Sequence, residues 1–336
     1  MHILHDQPAE LYSTFRLKTR LAAVIEANSL ADLMQIDTFP VPLVLGEGSN
    51  TIFLEAQARP IVRFTGINVA EHWLDDKRCL LHVEAGCNWH QLVTKVVEQQ
   101  LWGIENLALI PGSVGAAPVQ NIGAYGVELA DVCSYVDYFH WQSKSLRRLA
   151  VAECKFGYRD SVFKHQLAGK GIIVAVGINV TKEAKPVLSY QGLDSLPVTS
   201  SVNEIYQKVI ATRNSKLPDY RHLANCGSFF KNPVISGADY QRLQQVYPTI
   251  PGYIQQDNQV KVPAAWLIDQ QGFKGYQIND IGCYPKQPLV LVNYGDGSAE
   301  DLLQLIARIQ AKVNSAYQIN LEPEVRLLTS DGQHYV

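Results

Sequence analysis

Two spacings of apolar residues alternate along the chain, one typical of strands and one typical of helices. A continuous β-branched run over residues 171–180 predicts a buried strand. Apolar residues three and four positions apart predict amphipathic helices over 88–101 and after Ser298, where the stripe includes Leu302, Leu305 and Ile309. Because both kinds of segment recur from one end of the chain to the other, the pattern predicts a mixed α and β fold.

The same pattern places the remaining elements. Ser29 and Ser298 have the spacing of helix N-caps, with Asp32 and Asp301 as reciprocal partners. We expect further helices over 202–213, 237–246 and 264–271. We expect strands over 22–25, 41–45, 51–54, 80–85, 136–141, 146–151, 289–293 and 322–328, with 136–151 forming a hairpin.

One stretch fits neither spacing. Residues 109–126 read L-I-P-G-S-V-G-A-A-P-V-Q-N-I-G-A-Y-G, with four glycines among small residues. Glycines allow close approach of another surface, and successive backbone N–H groups in such turns bind anions. We call residues 109–126 the glycine strip. It suits a flat, phosphate-bearing cofactor, although a buried crossover between two elements has the same composition.

A second glycine-containing turn lies between two predicted strands. It reads G-E-G-S-N over residues 46–50. Backbone N–H groups and two small polar side chains at one point suit a pyrophosphate. An ordinary β-hairpin turn is the alternative.

Length and composition narrow the possible functions. A chain of 336 residues predicts two or three domains. A net charge of −3 gives no electrostatic case for nucleic acid or for an anionic membrane surface, and no apolar run reaches the ~20 residues of a membrane span. The six cysteines are far apart, without a Cys-x-x-Cys pair, and the nine histidines lack metal-ligand spacing. We therefore expect reduced thiols, a cytoplasmic protein and no metal.

Familiar catalytic motifs are missing from the sequence. There is no G-x-G-x-x-G after a strand, no Walker A motif and no G-x-S-x-G around Ser228. The polar residues in apolar or glycine-rich settings are Arg159, Ser228 and Glu324. Each has a structural alternative: an ion pair with Asp160, a turn hydroxyl, and a solvated sheet face shared with Arg326.

Five separated motifs favour the functional interpretation of Arg159, Ser228 and Glu324 over the structural one. In order along residues 15–328, they are GEGSN (46–50), IPGSVGAAPVQNIGAYGVEL (110–129), FGYRDSVFK (156–164), NCGSFFKNP (225–233) and LEPEVRLL (321–328). In these motifs the chain resembles the UDP-N-acetylenolpyruvoylglucosamine reductases, in their type I branch. The chain departs from the family pattern at Cys226, where a small residue is usual, and at 261–263, where Lys-Val-Pro replaces Lys-Leu-Ala.

The resemblance implies an α+β fold. Two lobes of the vanillyl-alcohol-oxidase/PCMH type hold FAD, and a third α+β domain binds substrate. The implied divisions are a first lobe over 1–66, a second lobe with a Tyr190 loop over 67–214, a substrate domain over 215–320 and a C-terminal strand over 321–336 that returns to the active site.

The resemblance also implies the reaction. NADPH reduces non-covalently bound FAD, and NADP⁺ leaves the cleft. The enolpyruvyl ether of UDP-N-acetylglucosamine then enters the same cleft, accepts hydride from flavin N5 at C3 and a proton at C2, and becomes UDP-N-acetylmuramate, a peptidoglycan precursor. The enzyme is expected to act in the cytoplasm as a monomer.

Residue roles follow from the same resemblance. Arg159 would stabilise charge on the substrate carboxylate, Ser228 would protonate C2, and Glu324 would assist as a polar partner or second donor. FAD would be held by Gly46, Gly48, Ser49, Asn50, Pro111, Gly112, Ser113, Gly115, Ala116, Asn121, Gly123 and Gly126. Substrate would be held by Tyr125, Tyr158, Tyr190, Lys216, Asn232, Tyr253, Lys261, Lys274 and Gln287.

Two other classes of function remain open on the sequence. A flavin-dependent oxidase of the same two-lobed fold would be reoxidised rapidly by air and would not need NADPH. A non-catalytic nucleotide-sugar binding protein would be colourless and would tolerate Ser228→Ala.

Overall fold

The computed structural model describes residues 1–37, 40–190, 192–255 and 257–332. The last four residues of the predicted C-terminal segment, 333–336, lie outside the described residues. The strands are β1 His2–Pro8, β2 Arg20–Ala27, β3 Leu43–Val44, β4 Thr51–Phe53, β5 Ile61–Phe64, β6 Val69–Trp73, β7 Arg78–Glu84, β8 Gly123–Ala124, β9 Val127–Glu128, β10 Cys133–His140, β11 Ser145–Ala150, β12 Gly171–Thr181, β13 Ala224–Ser228, β14 Val234–Ser236, β15 Tyr253–Ile254, β16 Gln259–Lys261, β17 Gln277–Ile278, β18 Ile281–Tyr284, β19 Gln287–Asn293 and β20 Arg326–Leu328.

Six helices occupy the predicted positions, with ends shifted by a few residues, whereas a short helix over Val151–Cys154 was not predicted and begins at the last residue of the predicted strand 146–151. Ser29 and Ser298 both accept the backbone N–H of the aspartate three residues on, which confirms the two predicted N-caps. The Asp301 carboxylate in turn accepts the backbone N–H of Ser298, whereas the Asp32 carboxylate accepts the backbone N–H of Asn28 and not that of Ser29. The helices are α1 Leu30–Gln35, α2 Trp89–Glu98, α3 Val151–Cys154, α4 Val202–Lys216, α5 Gly237–Val246, α6 Ala264–Gln270 and α7 Ala299–Tyr317.

The chain divides into two compact units. The first unit comprises Met1–Gln7, Leu21–Gly48 and Gln57–Ser215. The second unit comprises Pro8–Arg20, Ser49–Ala56 and Lys216–Val336. The border after Ser215 lies next to the predicted border after residue 214, but residues 8–20 and 49–56 group with the C-terminal part of the chain. The predicted split of the first unit near residue 66 stays a prediction.

Two larger sheets, their helices and the short strand pair β8-β9 build the first unit. One sheet has the order β1-β2-β5-β3, with β2 and β3 parallel to β5, and the other is antiparallel with the order β11-β10-β12-β7-β6. The β-branched strand β12 lies in the centre of the second sheet, as its continuous apolar run predicts. Helix α2 buries Leu92, Val93 and Val96 in the core beside this sheet.

The second unit has its own core. Strands are ordered β13-β19-β18-β17, and a small sheet has the order β14-β16-β15. Helix α7 buries Leu302, Leu305, Ile306 and Ile309 among the apolar residues of this unit, as the stripe in the sequence predicts.

Strands β3 and β4, on either side of the turn 46–50, do not pair with each other. Strand β3 is parallel to β5, whereas β4 is parallel to β20. The hairpin alternative for the turn is therefore wrong, because the chain leaves one sheet and enters another across these five residues.

The predicted strand over 322–328 is shorter than its apolar pattern indicates. Only Arg326–Leu328 forms β20. Upstream, Lys231 donates its backbone N–H to Glu322 O, and Pro323 forms an isolated bridge with Phe230. The prediction that Glu324 lies inside a strand is thus wrong: Glu324 lies just before β20, where the main chain bonds to residues 229–231 instead of to a strand.

Candidate functional site

Main-chain hydrogen bonds fasten the glycine strip to the end of β7 and the start of α2. Trp89 N donates to Gly112 O at 2.9 Å, Val114 N to Cys87 O at 2.8 Å and Gly115 N to Ala85 O at 2.9 Å. A Cβ added to Gly115 would lie 2.5 Å from the Ala85 Cβ, so only glycine fits there. The strip therefore has a fixed shape within the first unit.

The turn 46–50 meets the glycine strip directly. A Cβ added to Gly46 would lie 2.6 Å from Ser113 Oγ and 3.2 Å from the Ala116 Cβ. Gly48 has a φ of 73° and Gly112 a φ of 118°, values that favour glycine. The two glycine-containing segments predicted to hold one cofactor thus lie side by side.

The end of the strip is shaped by Asn121. Its amide donates to Glu128 Oε2 and Gly157 O, and its Oδ1 accepts from Ala130 N at 2.9 Å. The side chain of Asn121 is therefore engaged within the protein, and its contribution to a site is to fix the path of the strip towards Gly123.

Arg159 lies against that path. Its φ of 53° is unusual for a residue with a side chain, and its Nη2 donates to Gly123 O at 2.7 Å. The Arg159 Cζ lies 5.5 Å from the centroid of the Tyr158 ring. Asp160, the alternative ion-pair partner weighed from the sequence, is 2.8 Å from His165 Nε2.

The three tyrosines predicted as substrate contacts in this unit are Tyr125, Tyr158 and Tyr190. The rings of Tyr125 and Tyr190 are 5.3 Å apart and meet edge to face. Tyr125 has a φ of 50°, and Gly126 after it has a φ of 84°. The structure therefore brings the glycine strip and the predicted Tyr190 loop together.

Sequence reasoning missed a further cation, Arg213. The sequence marks it only as the last residue of a predicted helix, which in the structure continues to Lys216. The Nε of Arg213 is buried and has no hydrogen-bond partner among the described residues. Burial lowers the pKa of Arg213, Tyr125 raises this pKa and Arg159 lowers it. A buried guanidinium influenced by a second arginine favours binding of an anion.

In the second unit, Ser228 ends β13 after a bulge. Gly227 has a φ of 70° and donates its N–H to Asn225 Oδ1, and the register against β19 shifts between Asn225 and Ser228. Ser228 is exposed, whereas the two phenylalanines that follow it are buried. The bulge turns the hydroxyl out of the apolar core.

Glu324 is tied to the same place by its main chain. Glu324 N donates to Phe229 O at 2.7 Å, and Asn50 Nδ2 donates to Glu324 O at 3.1 Å. Arg326 N in turn donates to Asn50 O at 3.0 Å. Three predicted site residues, Asn50, Ser228 and Glu324, are thus close together because β4 pairs with β20 and because residue 324 bonds to residue 229.

The other predicted substrate contacts of this unit are spread over several elements. Tyr253 is directly opposite Lys261 in the small sheet. Asn232 Oδ1 accepts from Ala264 N at the start of α6, and Lys274 Nζ lies 3.7 Å from Asp269. Lys216 is exposed at the end of α4. Gln287 has a buried Oε1 without a partner among the described residues.

Cys226 departs from the family pattern without adding a reactive group. It is buried, lies 3.5 Å from Thr14 Oγ1, and burial raises the pKa of its thiol to about 12. The other five cysteines are also unpaired and buried. The thiols therefore serve as small core residues.

The described residues contain neither a membrane-spanning helix nor a cluster of metal ligands. No helix there is long and apolar enough to span a membrane. No group of three or more His, Cys, Asp or Glu side chains there is arranged to hold a metal ion.

Comparison with known proteins agrees with the geometry. Residues 218–328 match the family model for the C-terminal domain of UDP-N-acetylenolpyruvoylglucosamine reductase, and residues 26–145 match an FAD binding domain. The reductase of Vibrio cholerae is 46% identical over 94% of this chain and 92% of its own, and that of Pasteurella multocida is 44% identical over 97% of both.

A solved structure has the same fold. The crystal structure of UDP-N-acetylenolpyruvylglucosamine reductase from Thermus caldophilus covers 97% of this chain with a TM-score of 0.67, at 23% identity. These matches confirm the FAD-binding fold with a further α+β domain and an FAD-dependent oxidoreductase. The chain belongs to the UDP-N-acetylenolpyruvoylglucosamine reductase family.

Proposed function

We propose that this enzyme uses NADPH and FAD to reduce the enolpyruvyl ether of UDP-N-acetylglucosamine to UDP-N-acetylmuramate. The observation that carries the proposal is the 46% identity to a named reductase over 94% of the chain. The product is a precursor of peptidoglycan, and the enzyme works as a monomer in the cytoplasm.

The residues of the first unit fit a flavin dinucleotide. Gly46 and Gly115 leave no room for side chains, and Ser113 of the glycine strip is buried against Gly46. Backbone N–H groups of the turn 46–50 and of the glycine strip would hold the pyrophosphate. When bound, FAD supplies the hydride that adds to C3 of the substrate.

Arg159 binds the substrate carboxylate in this proposal. Hydride addition at C3 spreads negative charge over C2 and the carboxylate, and a planar guanidinium stabilises that charge with paired donors. The bond from Nη2 to Gly123 O fixes the orientation of the side chain. Arg213 adds a second positive charge nearby, so that the substrate anion is held by two cations.

Ser228 delivers the proton to C2. Its exposed hydroxyl, turned out by the bulge at Gly227, is free to point at a ligand. A hydroxyl is a weak acid, so Ser228 serves only against a strongly basic carbon and needs a group that replaces its proton. Glu324, attached to the residue after Ser228, is placed to orient the hydroxyl or to act in that relay.

The uridine diphosphate is held by charged and aromatic side chains. Lysines bind diphosphate as compact charges, and tyrosine rings stack on uracil. Tyr253 and Lys261 are cross-strand neighbours in the small sheet, and Gln287 offers an unsatisfied buried oxygen. The ring of Tyr190 covers this part of the substrate when it is bound.

A spectroscopic titration under nitrogen tests the proposal. The purified protein should be yellow, should bleach with NADPH and should regain colour on addition of the enolpyruvyl substrate. UDP-N-acetylglucosamine, which lacks the vinyl group, should not restore colour and serves as the matched control. A colourless protein would support a binding protein instead, and rapid recovery in air without substrate would support an oxidase.

A further inference from the structure

Asn106 is a buried asparagine that was not predicted as a site residue, and it connects two parts of the predicted site. Asn106 lies in a short 3-10 helix, Glu105–Leu107, and is 0% exposed. Its Nδ2 donates to Tyr125 O at 2.8 Å and to Val187 O at 2.9 Å. One amide group thus holds the main chain of the glycine strip and the main chain that leads to Tyr190.

The segment that leads to Tyr190 has little else to hold it. We call residues 184–190 the Tyr190 segment; residues 184–189 have no helix or strand. Among the described residues, the bond from Asn106 is the one hydrogen bond to the main chain of 184–189. Side-chain packing of Val187 and Leu188 against the core completes the attachment.

The other end of the bridge carries a strained residue. Tyr125 has a φ of 50°, a conformation that costs energy for a residue with a side chain. A Cβ added to Gly126 would lie 3.3 Å from Val187 Cγ1, so the Val187 side chain packs closely against Gly126. This closeness places the Tyr125 and Tyr190 rings 5.3 Å apart.

The chemistry of the amide explains why asparagine stands here. Both partners are carbonyl oxygens, and the NH₂ group of asparagine offers the two donors they need. An aspartate at this position would present oxygens to both carbonyls. The Asn106 Oδ1 is buried without a partner among the described residues, so the side chain is retained at a cost in stability.

We propose that Asn106 is a positioning residue: it fixes Tyr125 and the start of the Tyr190 segment in one arrangement, so that Tyr190 moves over substrate from an anchored end at Val187. The inference rests on the proposed role of Tyr190 in binding substrate. It assigns Asn106 no contact with substrate or cofactor.

The test compares Asn106→Leu with Asn293→Leu by hydrogen–deuterium exchange and limited proteolysis on protein without substrate. Asn293 is 3% exposed, donates to Phe15 O and accepts from Gly295 N, so its loss also removes a buried amide bridge. Asn106→Leu should raise exchange about tenfold in the peptide covering 122–128, which contains hydrogen-bonded amides such as Ile122 N, because a lost hydrogen bond changes local opening by about that factor. Cleavage within 184–190 by a trace amount of protease should accelerate by a similar factor, because the segment loses its anchor to Asn106. Asn293→Leu should lower the melting temperature but leave both the exchange and the cleavage unchanged.

Unchanged exchange over 122–128 and unchanged cleavage within 184–190 for Asn106→Leu would overturn the inference and make Asn106 an ordinary core residue. Should that variant fail to fold, Asn106→Asp keeps the shape and, when protonated, one donor, and the same two measurements decide. In the assay, Asn106→Leu should raise KM severalfold with kcat nearly unchanged. If the chain does not reduce the enolpyruvyl substrate, the proposed function fails while the exchange result still decides the role of Asn106.

Discussion

The two units hold their candidate functional groups in opposite ways. In the first unit, Arg159 and the glycine strip lie on irregular backbone that many main-chain hydrogen bonds fix in place, and Arg159 itself donates to Gly123 O. In the second unit, Ser228 ends a regular strand, but its hydroxyl is exposed beyond a bulge.

In the proposed mechanism, this difference separates the fixed cation Arg159 from the proton donor Ser228. A side chain whose position is fixed by the protein orients a ligand at little entropic cost. A hydroxyl that is free to rotate can donate its proton and recover one, which a rigidly engaged hydroxyl does less readily. We therefore expect changes in the first unit to alter affinity and changes at Ser228 to alter one chemical step.

The largest effect is expected for Ser228→Ala. Reduction of the flavin by NADPH should proceed at the wild-type rate in stopped flow, because no proton reaches C2 in that half-reaction. Reoxidation by the enolpyruvyl substrate should slow by about 10²–10⁴-fold, the usual contribution of a positioned proton donor.

A thiol at the same position sharpens this prediction. Ser228→Cys should recover part of the lost rate, because a thiol has a lower pKa and still carries a transferable proton. Equal slowing of both half-reactions in Ser228→Ala would mean that the serine supports the structure of both ligand sites, and the contrast between the two units would fail.

The next effect concerns the contact between the two glycine-containing segments. Gly46→Ala places a methyl group 2.6 Å from Ser113 Oγ, which the buried strip cannot easily accommodate. Overpacking of this kind costs about 1–3 kcal/mol, so the Kd of apoprotein for FAD should rise roughly tenfold or more. Fluorescence titration of the apoprotein with FAD measures this Kd.

Two variants control for this change. Gly157→Ala meets nothing closer than the Asp160 Cβ at 3.7 Å and should leave the Kd for FAD unchanged. Adding Ser113→Ala to Gly46→Ala removes the clashing oxygen and should restore part of the affinity. If Gly46→Ala binds FAD normally, the packing of the two segments has no bearing on the cofactor.

Much of the fold could be predicted from residue spacing. The stripe of α7, the caps at Ser29 and Ser298 and the β-branched run of β12 are local signals, and the structure confirms each of them. The short β20 could not be predicted, because its partner β4 lies more than 270 residues away. Apolar alternation over 322–328 indicates extended chain but not which residues pair.

The candidate site residues could be predicted from the sequence where they lie in recognisable motifs. Arg159, Ser228 and Glu324 come from separated motifs, and the sequence alone left each with a structural alternative. Arg213 and Asn106 could not be found in this way, since an arginine in a helix and an asparagine after a glutamate are ordinary in sequence. Only the buried, unpartnered Nε and the two bonds from one amide mark them.

A smaller effect is expected for Arg213→Met, which keeps the apolar part of the side chain and removes its charge. Substrate affinity should fall about tenfold, because a charge-assisted hydrogen bond contributes about 1.5–3 kcal/mol. The ligand-free protein should melt at a higher temperature, because an unpartnered buried donor is removed. Arg147→Met, which removes an exposed ion pair with Glu153, should change neither quantity.

The opposite result is equally informative for Arg213. A lower melting temperature with unchanged affinity would show that the guanidinium stabilises the fold. The contrast between the units would then rest on Arg159 alone as the binding cation of the first unit.

The smallest effect is expected for Tyr190→Phe. The phenyl ring keeps the edge-to-face contact with Tyr125 at 5.3 Å, so only the hydroxyl is lost. A neutral hydrogen bond contributes about 0.5–1.5 kcal/mol, which predicts a rise in KM of about threefold to tenfold with kcat nearly unchanged. Tyr190→Ala also removes the ring and should raise KM further, whereas Tyr294→Phe, at a half-exposed position of the second unit, should have no effect. Because Tyr190 is proposed to bind substrate and not to transfer the proton, reoxidation at saturating substrate should stay fast in both variants. A fall in kcat without a change in KM would place Tyr190 in the chemistry and remove the distinction drawn between the two units.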